Sequence, residues 1–142
     1  MAALLLPAFS ACTVERGLVD VRGKVVLDGQ PIQDAQIYFH PGPSVMRGNG
    51  GFATSGRDGS FRARQGTGVW GMHPGEYVVT LSAKILPAAF FTSTVPELRI
   101  EMYESAPERF PHAYTEKQLS PLTATIAEGM KPLSLIIETR KP

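Results

Sequence analysis

The 142 residues predict an all-β sandwich of about seven strands. Three observations carry this prediction. Apolar and polar residues alternate with period two in several short segments, as a half-buried strand requires. Gly (14) and Pro (12) separate those segments, while a hydrophobic content of 43% is ordinary for a globular chain, so the turn formers interrupt a core. No segment carries a convincing amphipathic helical stripe.

The first strand is VDVRGKVVL from residue 19, with Val19, Val21, Val25 and Leu27 facing inward and Asp20, Arg22 and Lys24 outward. Asp28 and Gly29 form a turn pair, and Pro31, which has no N–H to donate to a ladder, stops the strand. AQIYF at 35–39 resumes the alternation through Ala35, Ile37 and Phe39. Residues 40–51, HPGPSVMRGNGG, read as a surface loop. A short strand at 52–55, the Asp58-Gly59 turn and a strand with Phe61 and Ala63 inward predict a hairpin. Pro74-Gly75 suits the centre of a type II turn and leads into EYVVTLSA, with Tyr77, Val79 and Leu81 on one face. Residues 84–120 read as a long connection crossing the sandwich, with LRIEMY at 98–103 its one plausible strand. A closing hairpin follows: Leu122, Ala124 and Ile126 alternate, Glu128 and Gly129 turn, and Leu133, Leu135 and Ile137 alternate again.

Fourteen basic and 13 acidic residues leave a net charge of +1, and no segment concentrates Lys or Arg, which argues against a nucleic-acid partner. Cys12, the only cysteine, cannot form an intramolecular disulfide, so it is a free thiol, an intermolecular partner or a site of modification. It ends LPAFSAC, after the apolar run AALLL and the small residues Ser10 and Ala11. This stretch resembles the lipobox of bacterial lipoproteins, with Phe9 where such boxes usually carry Leu. The resemblance implies a signal peptide at 1–11 whose basic end is missing, Cys12 as the lipidated residue, a tether at 12–18 and one sandwich domain at 19–140. At about ten residues the apolar run is too short to span a bilayer, which takes roughly 20.

The order of motifs from Val21 to Phe39 (V-x-G-x-V-x-x-D-G-x-P-I-x-x-A-x-I-x-F), then TSGRDGSF at 54–61 and PGEYVV at 74–79, resembles the carboxypeptidase regulatory-like domains. These are prealbumin-like (transthyretin-like), Ig-like Greek-key sandwiches. Tyr114, Ser120, Pro121 and Leu122 are similar to small bacterial envelope lipoproteins built on that domain. The resemblance implies a non-catalytic binding or structural/assembly module without cofactor, anchored in a membrane by its lipid and facing periplasm or exterior, with an envelope protein or a carbohydrate as partner. The quoted residues are structural: Gly23 marks a bulge or a close backbone approach, and Asp28, Gly29, Asp58, Gly59, Pro74 and Gly75 shape turns.

Chemical alternatives find less support in the residues. His40, His73 and His112 each adjoin a proline and read as loop residues without the convergent spacing of a metal site. No Gly-x-Ser-x-Gly elbow is present, and Ser55 and Ser60 beside glycine read as turn residues. Asp58, flanked by Arg57 and Ser60, lacks the neighbouring carboxylates of a calcium loop. RGNGG at 47–51 lacks the Lys-Ser/Thr of a phosphate-cradling loop. The enzyme alternative is a transthyretin-like hydrolase or small-ligand enzyme, and the hydroxyisourate hydrolases of that fold end in a Tyr-Arg-Gly-Ser tail where this chain reads IIETRKP. Trp70, the sole tryptophan, reads first as a plug over one end of the core and otherwise as an exposed platform contacting a ligand such as a sugar.

Overall fold

The computed structural model describes residues 17–139, apart from 46, 47 and 49. Cys12 and the expected leader lie outside the described residues. In chain order the elements are β1 (Arg22–Leu27), β2 (Gln30–Pro31), β3 (Gln36–Pro41), β4 (Gly51–Thr54), β5 (Ser60–Arg62) and β6 (Gly75–Ser82). Three helices follow, α1 (Ala88–Thr92), α2 (Pro96–Ser105) and α3 (His112–Thr115), then β7 (Thr123–Ile126) and β8 (Leu133–Ile137).

The strands form two sheets around one core, a β-sandwich. In the first, β1 pairs in parallel with β8, while its other edge meets β5 at the start and β2 at the end, both antiparallel. The second sheet has the order β4-β3-β6-β7 and is antiparallel throughout. Period-two alternation sets the inward face of each strand. Val21, Val25, Phe61, Leu135 and Ile137 of the first sheet join Ile37, Phe39, Tyr77, Val79, Leu81 and Ile126 of the second in a single buried cluster. Asp28 and Gly29 have φ of 50° and 81° between the paired residues Leu27 and Gln30, the type I′ geometry that matches strand twist. Pro31 is tolerated because β2 is an edge strand.

Asp58 and Gly59 turn the chain as expected, with the Gly56 N–H donating to the Ser60 carbonyl at 2.8 Å and the flanking segments meeting antiparallel at Phe52 and Arg64. The two strands then diverge to other partners, β4 to β3 and β5 to β1. The closing turn departs from the expected hairpin: β7 pairs β6 and β8 pairs β1, so the segment around Glu128 and Gly129 is an arch between sheets. Alternation specifies which face is buried; it does not specify which neighbour supplies hydrogen bonds. Gly75 is the first residue of β6, paired with Ile126, and its φ of 141° is not that of a type II turn centre. A Cβ there would lie 2.7 Å from Val45 Cγ2, so glycine is required by the loop packed on it.

Residues 84–120 do not cross the sandwich, since β7 returns beside β6 in the same sheet. LRIEMY at 98–103 is helical, within α2. Leu98, Ile100 and Met102 mimic strand alternation, but Pro96 in the first turn, Glu97 beside it and a run of Leu, Arg, Glu and Met favour helix. Its Leu98, Ile100 and Tyr103 are exposed, so no strand-like buried face exists to compete. The excursion is fastened by Glu108, whose carboxylate accepts hydrogen bonds from the Ser82 hydroxyl and the Ala83 N–H, both at 2.6 Å. Phe110 then inserts into the core.

Gly23 is the tightest point of the first sheet. Its pairing with Phe61 and Leu133 is continuous, so the residue marks a close approach and no bulge. A Cβ would stand 2.5 Å from Phe61 Cζ and 2.6 Å from the Leu133 carbonyl oxygen. The latter is backbone and cannot rotate away. Gly23→Ala is therefore expected to destabilise the fold by about 1–3 kcal/mol, as overpacking of a tight core does. Urea unfolding checks this, and an unchanged midpoint would show that the Phe61 ring has room to move.

Candidate functional site

The most distinctive constellation on the surface is built on the hairpin that continues β5. After Arg62 the chain runs through Arg64, turns with the Gln65 N–H on the Val69 carbonyl at 2.8 Å, and returns so that Trp70 lies opposite Arg64. Phe52 lies opposite Arg64 on the other side, through paired backbone bonds of 2.8 and 2.9 Å. Directly opposed residues in antiparallel pairs share a face, so Phe52, Arg64 and Trp70 form one row across three strand segments. The Arg64 guanidinium carbon lies 4.9 Å from the Phe52 ring centre and 5.6 Å from that of Trp70, and the Arg62 guanidinium carbon lies 4.6 Å from Trp70. All three distances are within cation–π range.

Arg22 pairs in register with Arg62 across β1 and β5. Like charges directly opposed repel, and Asp20 offsets this repulsion. Its two carboxylate oxygens accept from Arg22 Nε at 3.0 Å and Arg62 Nε at 2.9 Å. Burial pushes the Asp20 carboxyl up, but the hydrogen bonds and charges of the two arginines outweigh it and hold the group below its ordinary 3.8. This contribution to stability is present above 3.8 and is lost as pH falls through the lowered value. Arg22, Arg62, Arg64, Trp70, Thr54 and Ser60 line a shallow depression of about 520 Å³. Arg22 and Arg62 share the Asp20 carboxylate, while Arg64 lies over the Phe52 and Trp70 rings.

Trp70 is half-buried at the edge of this depression and is not a member of the buried core, so it is no plug. Asp58 accepts from the Ser60 N–H at 3.0 Å and the Ser60 hydroxyl at 2.6 Å, a local turn. Asp28 accepts from the Thr139 N–H at 2.7 Å and from its hydroxyl, tying the first hairpin to the end of the last strand. Ser55 is buried, donating to the Ile32 carbonyl and accepting from the Ala35 N–H. The histidines occupy three different settings. His40 lies on β3 and not in a loop, because the alternation of AQIYF continues through it. His73 precedes β6, where its carbonyl accepts from the Tyr77 hydroxyl at 2.7 Å, and His112 opens α3. Among the described residues no three His, Cys, Asp or Glu side chains gather in a group able to hold a metal ion. Alternation with the inward Phe61 and Ala63 leaves Arg62 and Arg64 on the outward face, but no local pattern brings Arg22, Phe52 and Trp70 beside them.

No family model matches this chain, and neither curated proteins nor solved structures yield a match.

His40 supplies a pH-dependent term. Its Nε2 shares a 2.9 Å hydrogen bond with the Thr80 hydroxyl. Burial, and then the charge of Lys117, hold its pKa below 6.5. Its neutral form is favoured on folding, so as pH falls below 6.5 the unfolded chain takes up a proton first and stability drops. His40→Gln is expected to flatten this part of the stability profile. Urea unfolding at stepped pH checks it; equal slopes in the two proteins would remove His40 as the source.

Proposed function

We propose that this chain is a non-catalytic binding module of a bacterial cell envelope, a prealbumin-like Greek-key sandwich held on a membrane through a lipidated Cys12. The fold-level part draws on the motifs at 21–39, 54–61 and 74–79. It is supported by the way the chain passes between sheets at 55–59 and 127–132, because Greek-key order needs connections that skip the nearest neighbour. The anchoring part draws on LPAFSAC, whose Cys12 lies outside the described residues. Among the described residues no helix is long and apolar enough to cross a membrane.

The observation that carries the binding reading is the Phe52–Arg64–Trp70 row with Arg22 and Arg62 beside it. Charged and aromatic side chains are gathered on an open face, where the core gains little from them. Envelope proteins and carbohydrates are the partner classes such a face suits. The Ser55, Ser60 and His40 side chains are engaged in a core hydrogen bond, a turn and a bond to Thr80 of the neighbouring strand, which supports a role in binding over one in catalysis.

Lipid attachment is the testable part of this reading. Acyl chains contribute about 0.8 kcal/mol per buried CH₂, so two or more hold a protein on a bilayer. Cys12→Ser is expected to abolish lipidation and membrane retention in a bacterial host while leaving the sandwich folded. Intact-mass spectrometry and membrane fractionation check it. Wild type that stays off the membrane with an unmodified thiol would remove the anchor from the proposal.

A further inference from the structure

We propose that the cleft between the outer face of the second sheet and helices α1 and α2 binds an uncharged saccharide, a specification that rests on the binding-module reading but does not use the arginine row. Strand register builds its floor. Gln36 is paired with Thr54 of β4 on one side and with Ser82 of β6 on the other, and alternation with the buried Ile37 turns it outward. Gln33 and Asp34 from the turn before β3, Phe91 of α1, Tyr103 of α2 and Arg109 complete the lining. The cleft measures about 450 Å³, within the range of small-molecule sites.

A two-residue hairpin is enough to join adjacent antiparallel strands, yet β6 and β7 are joined through 83–122, whose three helices bury none of their own residues. Phe91 in this segment is 71% exposed. On the polar side, the Gln33 amide, the Asp34 carboxylate, the Gln36 amide nitrogen and the Arg109 guanidinium make no hydrogen bond or ion pair among the described residues. The Thr54 and Ser82 hydroxyls do not belong to this set, because they already bond Gln36 Oε1 and Glu108. Lys84 is engaged as well, its ammonium donating to the Tyr103 carbonyl and lying 4.5 Å from that ring's centre.

The unpartnered groups are held on fixed backbone. Buried Ser55 clamps the turn that carries Gln33 and Asp34: its carbonyl accepts from the Asp34 N–H, and its hydroxyl accepts from the Ala35 N–H and donates to the Ile32 carbonyl. The Arg109 N–H donates to the Ala83 carbonyl at the end of β6, at 2.9 Å. A ligand therefore has little backbone to order on entering.

Two amides, a carboxylate and a guanidinium supply donors and acceptors together, which suits hydroxyl groups that both donate and accept. The exposed Phe91 ring offers an apolar surface for the C–H face of a sugar ring. Charge is nearly balanced, since Asp34 offsets Arg109 and Lys84 stands opposite Glu108 in a β-bridge. An anion would meet Asp34 and a cation Arg109, so neither is favoured. An extended peptide seeks an open strand edge, whereas Gln36 belongs to β3, which is paired on both sides.

Amide-resolved NMR titration of the full chain, in a detergent without a sugar head group, tests this against cellotriose, maltotriose, chitotriose, mannotriose, trigalacturonate and an alternating Thr-Val hexapeptide. At least one of the four neutral trisaccharides is expected to shift the Gln33 and Gln36 side-chain amide signals, with an affinity that salt does not change. Phe91→Ala and Arg109→Ala should each weaken it about tenfold, the scale of losing an apolar contact or a charged hydrogen bond. Arg64→Gln should leave it unchanged. Urea unfolding of each variant shows that the fold persists, and Phe91→Ala, at the more exposed position, serves if Arg109→Ala does not fold. The proposal is overturned if no neutral trisaccharide binds, if the folded cleft variants bind as wild type does, or if trigalacturonate or the hexapeptide binds more tightly than all four. Binding lost in Arg64→Gln but kept in the cleft variants would place the sugar on the arginine row, sinking this cleft and leaving the binding-module reading intact. A chain retained on the membrane yet blind to all four sugars would likewise sink this cleft alone.

Discussion

The absence of a side chain at position 23 is the constraint on which the rest of the structure depends. The ring of Phe61 reaches over β1 only because Gly23 leaves space, and any Cβ there would also meet the Leu133 carbonyl of β8. With Phe61 seated, its ring lies 6.3 Å from Phe39 of the opposite sheet, and Phe39 lies 6.4 Å, edge on, from Tyr77. An aromatic line thus runs through the core from β5 to β3 to β6. Offset and edge-on aromatic pairs stabilise beyond the area they bury. Here they also join the two sheets, and the Tyr77 hydroxyl anchors the line to the segment before β6 by donating to His73.

The same register creates the surface site. Gly23 opposite Phe61 requires Arg22 opposite Arg62, since neighbouring residues of a strand face opposite sides. A slip of one residue would turn Phe61 to solvent and the arginines into the core. Burial of the aromatic line therefore holds the guanidiniums outside. The cost of opposing two cations is met locally by Asp20, one residue after the point where Val19 bridges Met72. Core and candidate site are two faces of one pairing.

The helical excursion shows a different balance. Helices α1, α2 and α3 bury no residue of their own completely, and the segment is held mainly at its base. Glu108 gathers the Ser82 hydroxyl and the Ala83, Arg109 and Phe110 N–H groups. Lys84 donates to the Tyr103 carbonyl at 2.8 Å, where a cation suits the end of α2. Ser120 donates to the Val79 carbonyl as the chain rejoins the second sheet. A few polar clamps thus do for this segment what alternation does for the strands. Period-two reading had no purchase on it.

By itself the sequence determined most of the strands, the buried face of each and the turns at Asp28-Gly29 and Asp58-Gly59. Val21, Val25, Ile37, Phe39, Phe61, Tyr77, Val79 and Leu81 were legible as core because the two-residue repeat is a local property of the chain. It was silent on sheet partners, so the expected closing hairpin proved to be an arch between sheets, and it mistook α2 for a strand. Composition also hid the arginine and tryptophan cluster, since Arg22 and Trp70 are 48 positions apart and no segment is basic. Only the tertiary structure brings them together. Hydrogen-bond register across strands, which places Arg22 beside Arg62 and Arg64 between Phe52 and Trp70, is set by long-range packing and is not written in any local pattern.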